Sequence, residues 1–161
     1  MTTAETPAAG ELAAELQGRL VGAWTLESWA SWKVGSDDIT YPLGKDAQGI
    51  IMYTPDGYMS AQIMRADRPL LAKADMQGAT AAEQSISAEG YLAYTGTYDV
   101  TADGSKVNHH VSVSLLPNWV HGVQVRVLKL DGDELVLSPA HPIWINGERQ
   151  DSRLVWHRAR S

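Results

Sequence analysis

From Leu20 onward the chain alternates apolar and polar residues in short runs, and most runs end at a turn signal. In "TPDGY" (54–58) an Asp-Gly pair separates "GIIMYT" from "YMSAQIM", the strongest short-range hairpin signal. "TADGSK" (101–106) divides "YTGTYDV" from "VNHHVSVSLL", and "LDGDEL" (130–135) divides "GVQVRVLKL" from "LVLS". "INGER" (145–149) divides "PIWI" from "RLVWHR". β-Branched and aromatic residues flank these turns, as strands require. The run "GAWTLESWASWKV" (22–34) predicts one long first strand. Farther on, "TAAEQ" sets Thr80 and Glu83 at capping-box spacing and predicts a helix spanning 79–92, between the third and fourth strands. Upstream, Leu12, Leu16 and Leu20 share one face of a short predicted helix over 10–20, a lid or a brace, with disorder expected before Pro7.

A single antiparallel sheet of this length must curl or close, because unpaired edges invite aggregation. The pattern therefore predicts an all-β fold: a closed up-and-down barrel of about eight to ten strands with one or two short helices. Barrels of this size leave room for one small ligand. Residues 1–19 form an N-terminal segment and residues 20–161 the barrel domain in this reading.

Composition narrows the function. A length of 161 residues with 44% hydrophobic and 20% charged residues fits one soluble globular domain. The net charge of −6 and the scattered basic residues argue against nucleic-acid or membrane partners. Without cysteine there is no disulfide framework and no thiolate metal site. The N-terminal stretch lacks the pattern of a signal peptide, and no run is apolar enough to span a membrane, so a cytoplasmic location is expected. Six Trp and six Tyr stand against no Phe. Such rings carry a polar handle on an apolar body, which suits gripping a ligand as well as packing.

The first long strand begins "LVGAWTLESW", with Gly22-x-Trp24. Together with "YPLGKDAQGIIMYTPDGYMSAQIM" (41–64), "AYTGTYDV" (93–100), "HHVSVSLLPNWVHGVQVRVLKL" (109–130) and "SRLVWHR" (152–158), it resembles the lipocalin-like domain family, the compact bacterial and fungal branch of the lipocalin-type barrels. The resemblance covers almost the whole chain after Leu20. It implies a central pocket and a Trp24 that plugs one barrel end. In lipocalins an Arg near the last strand packs across that tryptophan; Arg158 is the nearest match, with Arg153 as the alternative. The resemblance implies no shared catalytic set.

Strand alternation sorts the candidate chemistry. In "VNHHVSVSLL" one face carries Val107, His109, Val111, Val113 and Leu115, and the other carries Asn108, His110, Ser112 and Ser114. The adjacent histidines therefore point to opposite sides and cannot share a metal. The apolar face belongs inside, so His109 should enter the barrel and His110 the solvent. His109 is then either a satisfied core residue or a functional one, a general base or a ligand hydrogen-bonder. Arg126 shares a face with Gln124 and Leu128, and periodicity leaves that face inward or outward; the resemblance favours inward. Trp24, Leu26, Ser28, Ala30 and Trp32 share the expected inner face of the first strand. Tyr53, Tyr94, Tyr98 and Trp119 are candidates for the pocket wall or its rim, as well as for plain packing. No H-x-H or H-E-x-x-H pattern, nucleophile elbow, phosphate loop or dinucleotide fingerprint appears, so no metal and no cofactor are expected.

The candidate set is thus His109 and Arg126 as catalytic groups, with Trp32, Tyr53, Tyr94, Tyr98, Trp119 and Gln124 as ligand-binding residues. Two functions fit: a barrel that binds a small, mostly apolar or aromatic molecule, anionic in one version, or a cofactor-independent isomerase, cyclase or dehydratase acting on a polyketide- or terpene-like substrate. An interaction module is a third, weaker reading. The partner in the first two is a small molecule.

Overall fold

The protein is described by a computed structural model covering residues 9–160. The disorder expected before Pro7 lies outside the described residues. Helix α1 (Ala9–Leu20) leads into β1 (Gly22–Lys33), a short β2 (Ile39–Thr40), and the hairpin β3 (Gln48–Tyr53) and β4 (Tyr58–Met64). Helix α2 (Ala81–Glu89) precedes β5 (Tyr91–Val100) and β6 (Lys106–Ser114). A 3₁₀ turn at Pro117–Trp119 leads to β7 (Val123–Asp131), β8 (Glu134–Pro139), β9 (Ile143–Ile145) and β10 (Glu148–Arg158). The order β1-β3-β4-β5-β6-β7-β8-β10 closes through antiparallel pairing of β10 with β1, giving an eight-stranded barrel; β2 and β9 are short flaps on β1 and β10. No helix is long and apolar enough to cross a membrane.

Helix α2 starts where the capping-box spacing predicted. The Thr80 hydroxyl accepts from the Glu83 amide, and the Glu83 carboxylate accepts from the Thr80 amide at 2.8 Å. Each satisfies a donor that the first helical turn leaves free.

One end of the barrel is sealed by Trp24. The Arg158 guanidinium lies 4.1 Å from the centre of its indole, while the Trp24 indole N–H donates to Leu20 O at 2.9 Å. Arg158 also donates to Val21 O at 3.1 Å and Arg19 O at 2.7 Å, tying the last strand to the end of α1. The choice between Arg158 and Arg153 thus falls on Arg158; Arg153 is exposed. Gly22 has φ of 123°, a backbone state few side chains tolerate, and a Cβ there would sit 3.2 Å from the Arg158 guanidinium. The glycine of the Gly22-x-Trp24 pattern is therefore fixed by conformation and by space. Leu12 and Leu16 of α1 pack over Gly104 at this same end, so α1 is a brace at the sealed end.

Two bulges reset the inward-facing pattern. In β1 the pairing with β10 shifts between Leu26 and Ser28, so Trp29 and Ser31 turn inward in place of Ser28, Ala30 and Trp32. The buried Ser31 hydroxyl is satisfied by Gln150 at 2.7 Å and Ser152 at 3.0 Å. Trp32 is half-buried beside β2, outside the barrel interior. In the second bulge the β5–β6 register shifts between Thr95 and Gly96. A Cβ on Gly96 would lie 1.8 Å from His110 O, so only glycine fits. Past this bulge Val113 and Leu115, expected inside, are exposed.

Candidate functional site

His109 lies before the second bulge, on the inward face of β6, and is fully buried; His110 is exposed and contacts Asp99 at 2.5 Å. Two tyrosines from separate strands bracket the His109 ring. Nε2 is 2.9 Å from the Tyr53 hydroxyl on β3, and Nδ1 is 3.0 Å from the Tyr94 hydroxyl on β5. Tyr98 packs edge-on to Tyr53 with ring centres 4.8 Å apart and donates its hydroxyl to Thr54 O at 2.9 Å. Burial, with the nearby Arg126 charge and then His110 adding to it, lowers the His109 pKa to about 3, so the ring is neutral near pH 7. Burial also pushes the Tyr53 hydroxyl well above its usual range, with Tyr94 reinforcing and Arg126 opposing the shift.

Toward the other end of the barrel the core gives way to a cavity of about 130 Å³. Trp29, Trp119 and Trp156 supply aromatic walls, and Ile51, Ile63 and Leu137 supply apolar ones. Trp119 stands edge-on to Tyr94 with centres 5.4 Å apart. The rim includes Trp144 of β9, which is exposed. The strongly polar side chains of the lining are Tyr94 and Arg126.

Arg126 projects inward because β7 pairs it with the fully buried Val107 of β6, and the same register sets Gln124 opposite His109. Its guanidinium donates to Gln124 Oε1 at 3.2 Å and to Val125 O at 3.4 Å. No carboxylate forms an ion pair with it among the described residues. A charge this buried, held only by neutral acceptors, carries a desolvation cost that a ligand can offset.

The structure therefore brings Tyr94, Trp119 and Arg126 to the cavity wall. His109, Tyr53, Tyr98 and Gln124 lie behind that wall, His109 in contact with Tyr94 and Gln124 in contact with Arg126. Trp32 does not reach the cavity, because the β1 bulge turns it out. Trp29 and Trp156 do reach it and were missed: tryptophans stand on both faces of β1, and apolar residues on both faces of β10, so neither strand shows which face is inward. Among the described residues, the grouping with metal-ligand spacing is Glu27, Glu134 and His157, exposed on the outer surface and away from the cavity.

The 4'-hydroxy-3'-methoxypropiophenone carrier protein ppsC of Aspergillus oryzae is 37% identical over 106 residues, an overlap that covers 62% of this chain and 96% of that protein. The model of the lipocalin-like domain matches residues 21–159, the whole barrel from the approach to β1 to the end of β10, and the chain belongs to that family.

Proposed function

We propose that the protein binds a small aromatic molecule in the barrel cavity and acts as a carrier rather than a catalyst. The observation that carries this reading is the lining of the cavity: apolar and tryptophan-walled, with Tyr94 and Arg126 as its few strongly polar side chains. Such pockets use apolar area for affinity and a few polar groups for orientation. The size supports a single ring, since a dry protein cavity of about 150 Å³ accepts benzene. Substituents longer than the ring would extend toward the rim at Trp144. The similarity to a protein named for carrying an aryl ketone points to the same chemical class.

A second reading, a cofactor-independent isomerase, cyclase or dehydratase, draws on the hydrogen-bonded sequence Tyr94–His109–Tyr53, a path for a proton away from the cavity. Two features weigh against it. With its pKa near 3, His109 resists accepting that proton, and no carboxylate borders the cavity among the described residues to share the charge.

The test is titration with 4'-hydroxy-3'-methoxypropiophenone and smaller aryl ketones, followed by tryptophan fluorescence and calorimetry. Ala61 is buried and borders the cavity, so Ala61→Leu fills space the ligand needs. Wild type should bind, and A61L, with its fold checked by circular dichroism, should bind at least about tenfold more weakly. The ligand should be recovered unchanged by mass spectrometry. If no aryl ketone binds the wild-type protein, the carrier reading is wrong; a chemically altered ligand favours the enzyme.

A further inference from the structure

The Tyr94–His109–Tyr53 sequence has a direction that distances alone do not reveal. A neutral imidazole carries one proton, so one ring nitrogen donates and the other accepts. If Nε2 donated to Tyr53, the Tyr53 hydroxyl proton would need another acceptor, and none is present among the described residues around this fully buried group. The opposite arrangement leaves no such orphan in the core. Tyr53 donates to Nε2, Nδ1–H donates to the Tyr94 oxygen, and the Tyr94 O–H is left to donate into the cavity its side chain borders. The buried relay thus fixes Tyr94 as a donor.

The remaining polar groups around the cavity are donors too. Arg126 offers only N–H groups, and its protein acceptors are neutral. Trp29 and Trp156 both border the cavity, and their buried indole N–H groups have no hydrogen-bond partner. No Asp, Glu, Asn, Gln, Ser or Thr side chain borders it among the described residues. Buried donors without acceptors are costly, and a guanidinium without a counter-charge more so.

We infer that the cavity takes its ligand as an anion: the conjugate base of an aromatic acid, an acidic phenol or an enol, with its oxygen on Arg126 and Tyr94 and its ring among the tryptophans. This deepens the carrier reading and rests on it. The same arrangement rejects cations, which would meet Arg126, and ligands whose polar end is all donors, which find no side-chain acceptor. Gln124 holds the guanidinium in place and is a positioning residue.

Three probes of nearly one shape separate charge from shape: benzoate, neutral nitrobenzene and the benzamidinium cation. Calorimetry on the wild-type protein near pH 7 should rank benzoate about tenfold or more above nitrobenzene, the scale of a charge-assisted hydrogen bond, with benzamidinium not binding. Arg126→Met should remove the preference for benzoate while keeping nitrobenzene, and Tyr94→Phe should weaken benzoate severalfold. 4-Nitrophenol provides the phenolate arm: bound, it should show the absorbance of its anion at a pH where the free probe is mostly neutral. The wild-type ranking needs no variant to fold. Nitrobenzene binding as tightly as benzoate would overturn the anion inference and leave the carrier reading standing. Binding of none of the probes would likewise overturn the anion inference, and the carrier reading would fall with it only where the aryl ketones fail to bind as well.

Discussion

Acidification should weaken this barrel in a pH range where its carboxylates are still largely ionised, and His109 is the reason. The fully buried ring has its folded pKa lowered to about 3, against an ordinary 6.5. Between these values the unfolded chain binds a proton that the native state refuses. Stability from the neutral ring is therefore complete above pH 6.5 and falls as the pH drops toward 3. At about 1.4 kcal/mol per pH unit, the descent from pH 7.5 to 4.5 crosses roughly two effective units and removes about 2–3 kcal/mol. For a domain of this size that is a fall in Tm of roughly 5–10 °C. Asp103, whose pKa is lowered to about 2 by the hydrogen bonds it accepts from Thr101 and Ser105, adds its own loss only at lower pH, between its ordinary value of 3.8 and about 2. His109→Gln retains a donor and an acceptor between the two tyrosines but no titratable ring. Calorimetric melts of both proteins at half-unit steps should show the steep acid slope in wild type and a flattened one in H109Q. Parallel slopes would refute the assignment of a neutral, buried His109.

Two further outcomes concern the scaffold and are read by urea unfolding. Trp24→Ala removes the plug beneath Arg158 and should cost about 3–5 kcal/mol, the range for large aromatic truncations. Gly96→Ala forces a Cβ against His110 O and should cost at least the roughly 1–3 kcal/mol of an overpacked core. Its control is Gly18→Ala, in open space on α1, which should stabilise by up to about 1 kcal/mol; a neutral G96A would mean that β5 and β6 are not bulged there.

The hairpins were legible in the sequence because their turns need backbone states only a few residues accept. Gly57, Gly104 and Gly132 have φ of 90°, 69° and 56°, and Asn146–Gly147 has 50° and 78°. His109 was legible for a related reason: the alternation around it is unbroken from Val107 to Val111. The errors begin where a bulge slips the period by one, since that exchanges every face beyond it. No glycine or proline marks the bulge at Leu26–Ser28, so Trp32 was placed inside and Trp29 overlooked. The β6 bulge did leave a mark, but on the neighbouring strand, as the lone Gly96 inside β5. The inward turn of Arg126 was not readable from β7, where valines and leucines occupy both faces; it depends on the Val107 pairing, a contact between strands.

The ladder from Trp24 and Arg158 to Lys33 and Gln150 joins the first barrel strand to the last, as does the Ala159 amide donating to Ala23 O at 2.8 Å. The Ser31–Gln150 bond spans 119 residues of chain. A ribosome that has released β1 must therefore synthesise nearly the whole domain before that strand finds its principal partner. Until residues 148–158 emerge, Trp24 and Trp29 sit on an open strand edge, and the nascent chain must be kept from pairing with its neighbours.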